Sequence, residues 1–313
     1  MGFFFISVCL AGCSSNPTSN QVSNFTVLAS FSSNQSVTLQ APYGIYVAPS
    51  TGNVYVTNCN PSANEPAIVE LSSNLTYIAG FGKTSATFDQ NQAGTFFQPR
   101  GITSDGTNFY ISDWQNSQVQ GYNGSSFFIA PVSPVQEDPW GIDYDRSATS
   151  LLVVENAEFQ SNSNSNLSQV YSFNIGLSAS SPLENITQPI DLIGVTADSA
   201  GNIYVTDNKN ERIIKFNSAG VSLTSWGSRG SLPGQFSSGI SGIMADSSNN
   251  IWVTDMGSGA GSIQEFSNSG AFEGEWKAPP SLSLFAPADI QIGPNGNFYV
   301  CDAENSVVYE LSL

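Results

Sequence analysis

Short apolar segments with polar residues at alternate positions recur along the chain after residue 40. The clearest unit runs from Gly194 to Gly230, and a similar unit runs from Gly242 to Pro279. Within each unit, clusters of Gly, Asn, Asp and Ser separate the segments, as tight turns separate short strands. No segment shows the 3.6-residue periodicity of a helix, so the pattern predicts an all-β protein.

The remaining copies of this unit are more divergent, and they begin at Gly44, Gly101, Gly141 and Ala288. We predict four strands in a full copy and label them a to d in chain order. Copies that follow one another at roughly 40 to 57 residues are typical of propellers, in which each copy forms one four-stranded antiparallel blade.

The sixth copy lacks strand d, because the sequence stops after strand c at Leu313. One unassigned strand, residues 25–31, precedes the first copy. In a closed ring this strand can complete the last blade and remove the exposed sheet edges at both ends. We therefore predict a six-bladed β-propeller, formed by residues 25–313 and closed by that strand.

Strand b ends in a short polar side chain in every copy. These residues are Asn58, Asp113, Asn156, Asp207, Asp255 and Asp302. A residue type that is used six times indicates a structural role, because its side chain can bond the backbone of the following turn.

The segment GVTADSAGNIYVTDNKNERIIKF, which ends at Phe216, and the later pair Trp226-Gly227 resemble the NHL repeat. The linker SLPGQF at 231–236 also looks like that of the family. The resemblance covers nearly all of residues 40–313 and is weakest in the third copy, which carries a Ser/Asn run at 161–166. It implies a six-bladed propeller with ligands bound around the central channel, on the face of the d to a and b to c connections.

The apolar run at residues 2–12 is too short to span a bilayer, which takes about 20 residues. It ends in LAGC, which resembles the bacterial lipobox and implies that residues 1–12 are a signal peptide and that Cys13 is acylated. The polar segment 13–24 is then a flexible tether. No Lys or Arg precedes the run, so an ordinary signal peptide or an N-terminal strand are the alternatives. A lipidated chain would be anchored in the bacterial cell envelope, either periplasmic or at the cell surface.

The charge and composition of the chain exclude several classes of function. The chain has 8 Lys plus Arg against 25 Asp plus Glu, and its net charge of -17 disfavours nucleic acid and anionic membrane surfaces as partners. It has no histidine, which excludes Ser-His-Asp and Cys-His catalysis and histidine-ligated zinc or haem. We expect a monomeric, non-enzymatic binding or scaffold module without a cofactor, in contact with the membrane only through its lipid.

Four residues that break the repeat form the candidate ligand site. Tyr43, Arg100 and Trp140 precede the strand a glycine of copies one to three, and Trp114 follows strand b of copy two. An arginine flanked by aromatic rings can bind a carboxylate or stack on a sugar or peptide. We therefore predict a protein, peptide or glycan ligand on this face. Alternatively, the rings pack against loops and the arginine pairs with an acid.

Two carboxylates also depart from the repeat near the channel. Asp143 lies two residues after the strand a glycine, and Asp289 replaces that glycine in copy six. Such oxygens could hold a hard cation such as calcium. The related gluconolactonase-like hydrolases use a calcium-type site in the channel, although their motif does not match this chain residue by residue. A calcium-dependent hydrolase of that kind is the alternative function.

Cys59 and Cys301 lie at the ends of strand b in copies one and six. Those copies are neighbours only in a closed ring, where a disulfide would add about 2 to 4 kcal/mol by constraining a very large loop. Equivalent strands of adjacent blades can also be too far apart for a bridge, which would leave two separate thiols.

Overall fold

A computed structural model describes residues 21–59, 65–89, 92–130, 138–156, 168–174, 180–182, 190–237, 239–257, 261–282 and 285–313. Apart from one 3-10 turn at Trp114–Asn116, every regular element in these ranges is a strand. No helix in the described ranges has the length and hydrophobicity needed to cross a bilayer. The predicted signal peptide, Cys13 and the Ser/Asn run of the third copy lie outside the described residues.

The strands form six sheets, each of which is one blade. Two strands precede the first blade: β1 (Gln21–Asn24) and β2 (Thr26–Phe31). Blade one contains β3 (Pro42–Val47), β4 (Val54–Asn58), β5 (Pro66–Leu71), β6 (Tyr77–Thr84) and the short β7 (Thr95–Phe96). Blade two contains β8 (Pro99–Ser104), β9 (Phe109–Asp113), β10 (Gln118–Tyr122) and β11 (Phe127–Ile129). Blade three contains β12 (Pro139–Asp145), β13 (Ser150–Glu155), β14 (Gln169–Asn174) and β15 (Ser180–Pro182).

The second half of the chain repeats this order. Blade four contains β16 (Leu192–Ala197), β17 (Ile203–Asp207), β18 (Arg212–Phe216) and β19 (Ser222–Trp226). Blade five contains β20 (Ile240–Ala245), β21 (Ile251–Asp255), β22 (Ser262–Phe266) and β23 (Phe272–Lys277). Blade six contains β24 (Pro287–Ile292), β25 (Phe298–Asp302) and β26 (Val307–Ser312), completed by β2.

The blades form a closed ring. The first strand of each blade contacts the first strand of the next, in the order β3, β8, β12, β16, β20, β24 and back to β3. Strand β2 pairs antiparallel with β26, with Thr26 opposite Ser312 and Phe31 opposite Val308. The predicted six-bladed propeller and its closure by the N-terminal strand are therefore confirmed.

The last residues of the predicted tether form a strand. Residues 21–24, at the end of that tether, form β1 and pair in parallel with β23 of blade five. The next residue, Phe25, is buried and packs its ring 5.0 Å from that of Phe285. This aromatic anchor holds the segment between blades five and six, so it extends the sheet instead of remaining a free linker.

The hydrophobic core is divided among the interfaces between blades. Each of the six adjacent pairs has its own buried cluster, for example Val56 with Cys301 and Val308 between blades one and six. Strands β17, β21 and β25 are buried at every residue, because both of their faces pack on side chains of the core. The outer strand β19 is almost wholly exposed. Burial therefore decreases from strand b to strand d of a blade.

Candidate functional site

The first strand of each blade begins with a bulge that directs side chains towards the channel mouth. In blade one, for example, the pairing of β3 with β4 shifts between Pro42 and Ile45. The same irregularity occurs in the other five blades. The residue that opens each bulge lies at the mouth, and these residues are Tyr43, Arg100, Trp140, Ile193, Ser241 and Ala288.

The structure brings the four predicted ligand-binding residues together. The Cζ atom of Arg100 lies 4.5 Å from the ring centroid of Tyr43, 4.6 Å from that of Trp114 and 4.4 Å from that of Trp140. The rings also contact one another, with centroids 5.7 Å apart for Tyr43 and Trp140 and 5.0 Å apart for the two tryptophans. We call these four residues the arginine cage. Contacts of this kind contribute about 0.5 to 2 kcal/mol each, depending on how far the cation is removed from water.

The guanidinium of Arg100 has aromatic neighbours but no oxygen partner among the described residues. Its Nε is buried and makes no hydrogen bond, and the side chain belongs to neither of the ion pairs in the described ranges. Those pairs join Arg212 to Asp207 at 2.8 Å and Lys277 to Glu275 at 3.4 Å. The described carboxylates therefore leave the charge of Arg100 uncompensated.

The backbone of Arg100 is held by the preceding blade. The Thr57 hydroxyl donates to the Arg100 carbonyl at 2.6 Å and accepts a hydrogen bond from the Gly44 amide at 2.8 Å. Ser112 donates in the same way to the Trp140 carbonyl at 2.6 Å. We call such a hydrogen bond, from a Thr or Ser hydroxyl to a backbone carbonyl of the next blade, a hydroxyl clasp. The sequence analysis did not predict these bonds, although a Thr or Ser stands immediately before the terminal residue of strand b in four copies.

The glycines that line the first strands permit close contact between blades. A Cβ atom on Gly44 would lie 2.2 Å from the Arg100 carbonyl oxygen, and one on Gly141 would lie 2.3 Å from that of Ile193. Such distances are impossible for real atoms without backbone movement. The repeated glycine therefore has a packing role: it brings the first strands close enough for the cage to assemble.

The channel below the mouth is narrow. The cavity between the first strands has a volume of about 30 Å³ and opens at the mouth, where Tyr43 and Trp140 line it; the repeated glycines form much of its wall. The Tyr43 hydroxyl lies 3.2 Å from the Ser241 hydroxyl, so a side chain of blade one reaches blade five across the mouth. One water takes about 10 to 15 Å³ of such volume, so the cavity has room for two or three waters.

The hydroxyl and thiol groups beside the cage are neutral. Burial raises the pKa of Tyr43, against the opposing effect of the nearby Arg100 charge. Burial likewise raises the pKa of the Cys59 thiol, and again Arg100 opposes the shift. The Cys59 thiol donates to the Pro99 carbonyl at 2.6 Å. These groups act as hydrogen-bonding partners, and neither serves as an ionised nucleophile near neutral pH.

The two candidate disulfide partners are free, buried thiols in the structure. Cys301 donates to the Gly44 carbonyl at 3.8 Å, whereas Cys59 bonds the Pro99 carbonyl. Burial raises the pKa of Cys301 well above its usual value, and the nearby Asp289 charge acts in the same direction. The two cysteines thus lie in adjacent blades, as predicted from ring closure, but each bonds a different backbone carbonyl.

The two channel carboxylates are engaged by hydrogen-bond donors of the protein. Asp143 accepts from the Tyr144 amide at 2.8 Å and from the Thr196 hydroxyl at 3.1 Å. Asp289 accepts from the amides of Ile45 at 3.1 Å and Ile290 at 2.9 Å. Calcium takes six to eight oxygen ligands, and no group of three or more Cys, Asp or Glu side chains in the described ranges could hold a metal ion. The two channel carboxylates are therefore bound by groups of the protein and belong to no such group of three in the described ranges.

The polar residue at the end of strand b is a structural hub. In blade two, Asp113 accepts hydrogen bonds from the side chains of Asn116, Gln118 and Gln120, at 2.8, 3.0 and 2.8 Å. In blade three we predicted Asn156 as the residue that ends strand b. The structure instead pairs Glu155 with Pro139, the first residue of β12, so Glu155 holds that position.

Comparison with known families assigns the repeat. Residues 191–216, which cover β16 to β18, match the family model described as the NHL repeat. The chain is a six-bladed β-propeller whose fourth blade matches the NHL repeat. No curated protein matches its sequence significantly.

Solved structures share the fold of this propeller at low sequence identity. A catalytically inactive variant of virginiamycin B lyase from Staphylococcus aureus, solved with quinupristin, is 13% identical with a TM-score of 0.63, covering 93% of this chain and 100% of the lyase. A gluconolactonase from Xanthomonas campestris is 10% identical with a TM-score of 0.63, covering 88% of this chain and 87% of that one. A chain of a nidogen/laminin complex is 15% identical with a TM-score of 0.58, covering 77% and 81%. At these identities the likeness extends to the fold alone.

Proposed function

We propose that this propeller is a non-enzymatic binding module whose ligand, a protein, peptide or glycan, contacts the arginine cage at the channel mouth. The observation that carries the proposal is a guanidinium fixed among three aromatic rings, with no oxygen partner in the described ranges. Fixing the site before the ligand arrives lowers the entropic cost of binding. Arg, Trp and Tyr are also the residue types that dominate binding energy at interfaces.

The channel volume favours binding at the mouth over catalysis inside the ring. A cavity of about 30 Å³ has no room for a lactone-sized substrate. The two channel carboxylates are hydrogen-bonded to the protein and do not form a metal cluster. Among the structural relatives, a gluconolactonase and a lyase are enzymes by name, and the nidogen/laminin structure is a complex between proteins. The fold is therefore compatible with both classes, and the small cavity together with the engaged carboxylates supports the binding proposal.

Nuclear magnetic resonance of the indole groups tests this proposal directly. The chain has five tryptophans, of which Trp114 and Trp140 belong to the cage and the other three do not. A library of neutral sugars, short peptides and small acids should contain ligands that shift the two cage indoles and leave Trp226, Trp252 and Trp276 unchanged. Replacing Trp114 by Leu should abolish these shifts, whereas Trp226→Leu in the outer strand β19 should preserve them. If no compound in the library shifts the signals of the two cage indoles, the result contradicts the proposal.

We also propose that the propeller is anchored to a bacterial membrane by a lipid on Cys13, since the preceding apolar run and the LAGC tetrad have that form. Mass spectrometry of the chain expressed in bacteria should show an N-terminal acylated cysteine and loss of residues 1–12. Cys13→Ser should release the protein from the membrane fraction. An unmodified Cys13 at the native expression level would exclude the anchor.

A further inference from the structure

We propose that Arg100 binds a single carboxylate group of a peptide ligand, an inference that rests on the binding function proposed above and specifies its chemistry. The cage holds the guanidinium by its faces through rings at 4.4 to 4.6 Å. A planar cation held by its faces can still donate hydrogen bonds from its edge. The edge matches the two oxygens of a carboxylate, which a guanidinium binds in a bidentate manner.

The unsatisfied hydrogen-bonding capacity of Arg100 points to an anion. Its Nε is buried without a partner, although the side chain as a whole is only partly buried and also hydrogen-bonds the Cys59 thiol. A buried donor of a charged group without an acceptor is unfavourable, and an arginine cannot lose its charge near neutral pH. An incoming carboxylate would supply oxygen acceptors and the negative charge that the described ion pairs do not provide.

The charge of the whole molecule favours a carboxylate over a phosphate. The chain carries 25 acidic residues against 8 basic ones, with a net charge of -17. This field opposes every anion, and it opposes a phosphate dianion about twice as strongly as a monoanion of the same size. One guanidinium can neutralise one carboxylate, whereas a phosphate site is normally built from several cations or from a helix N-terminus.

The orientation and burial of the aromatic rings favour a peptide ligand over a sugar. Sugars are bound by stacking on an open aromatic face, but each ring of the cage turns towards the guanidinium. Trp140 is only 7% exposed, and Tyr43 packs against two of the buried clusters. The cage therefore offers the edge of a cation with apolar surroundings, which suits the carboxylate of a C-terminus or of an acidic side chain.

The test compares acids with their matched amides on the full chain, again through the indole signals of Trp114 and Trp140. N-acetyl-diglycine represents a peptide C-terminus, N-acetyl-aspartyl amide represents a side chain, and N-acetyl-diglycine amide is the neutral control. Glucuronate and methyl phosphate represent the other anions. We expect at least one peptide acid to bind at millimolar concentration, at least tenfold more tightly than the amide, glucuronate and methyl phosphate.

Two substitutions separate charge from geometry. Arg100→Gln should abolish binding of the acid, and Arg100→Lys, which keeps the charge but lacks the planar fork, should weaken it about tenfold. Arg229→Gln removes the same charge from an exposed position and should leave binding unchanged. Melting curves of each variant show whether the fold is retained, and Arg100→Lys provides the test if Arg100→Gln does not fold.

The outcomes that overturn this inference differ from those that overturn the proposed function. If neutral peptides or sugars shift the cage indoles as strongly as the acids do, the propeller binds ligands there but Arg100 does not select a carboxylate. Preference for glucuronate identifies a glycan ligand, and preference for methyl phosphate identifies a phosphorylated one. Absence of any shift with the acids at millimolar concentration, or acid binding that survives Arg100→Gln, also refutes the inference.

Discussion

Asp289 of blade six accepts a hydrogen bond from the backbone amide of Ile45 in blade one, at 3.1 Å. It does so from the position that glycine occupies in the other five blades. The bond crosses the seam where the first and last blades meet, so a partly buried carboxylate is part of the closure of the ring. Its consequence is a dependence of stability on pH.

Stability should fall as the pH rises from about 4 to 7. Burial raises the pKa of Asp289 to about 7, against the opposing hydrogen bonds from Ile45 and Ile290, and charge on Asp143 raises it further. In the unfolded chain an aspartate has a pKa of about 3.9, so between these values the folded state holds one more proton than the unfolded state. Its contribution to stability is full below pH 4 and is lost as the pH rises through 7, at up to about 1.4 kcal/mol per unit.

Chemical denaturation at several pH values measures this effect. Asp289→Asn cannot ionise, so the variant should lose most of the decline between pH 5 and 7.5 and should be the more stable protein at pH 8. Asp89→Asn, which changes an exposed carboxylate, should keep the wild-type slope. The partly buried Asp143 also has a raised pKa, so it accounts for part of the residual slope. An Asp289→Asn variant with an unchanged slope would show that the carboxylate is ionised throughout.

Substitution of a channel glycine should destabilise the ring strongly. In Gly44→Ala the new methyl group would meet the Arg100 carbonyl oxygen at 2.2 Å and the Gly101 Cα at 2.8 Å, both of which are backbone atoms of the neighbouring blade. We expect a loss of about 3 kcal/mol or more and altered indole signals from the cage. Gly106→Ala is the comparison, because nothing lies within 4 Å of its Cβ and only its φ of +93° opposes the change. That variant should lose about 1 to 2 kcal/mol, and equal losses in the two variants would contradict the packing role.

Loss of the Thr57 hydroxyl should lower the free energy of unfolding and weaken ligand binding at the cage. Thr57→Val keeps the shape of the side chain but leaves the Arg100 carbonyl and the Gly44 amide without their partner. Unsatisfied buried groups of this kind cost about 1 to 3 kcal/mol. Thr224→Val on the exposed strand β19 should change the free energy of unfolding by less than about 0.5 kcal/mol. Thr57→Val with wild-type stability would mean that water replaces the clasp.

The buried cysteines should be unreactive in the folded protein. Cys59 and Cys301 are both buried, and their thiol pKa values are raised by burial, so little thiolate is available. Alkylation followed by peptide mass spectrometry should label both cysteines in denaturant and neither under native conditions. A peptide pair cross-linked through Cys59 and Cys301 in protein purified without reductant would show that the disulfide forms after all.

The repeat made most of the fold predictable. Alternation within strands and Gly-Asn-Asp turns between them occur in phase in every copy, so the number of blades and the strand missing from the last one followed from the sequence. The cage was predictable for the same reason. Tyr43, Arg100 and Trp140 have the same position in consecutive copies, and equivalent positions of a closed ring converge on one mouth.

Features that depend on pairing between distant segments were not predictable. Strand β1 pairs with β23 more than 240 positions later in the chain, and the local sequence of residues 21–24 does not indicate this partner. The register of blade three places Glu155 opposite Pro139, although Asn156 matched the repeat better. In both cases the ladder is set by contacts across the sheet, which outweigh local sequence preference.

The sequence by itself determined the architecture, the closing strand and which four residues meet at the mouth, because these depend on a periodic pattern that each copy carries locally. Only the tertiary structure decided that the cage leaves its guanidinium without an oxygen partner in the described ranges, that Tyr43 reaches Ser241 across the mouth, and that the cavity between the first strands measures about 30 Å³. These properties arise from the distances between blades, which are set by the packing of glycines against neighbouring backbones and cannot be derived from one copy alone.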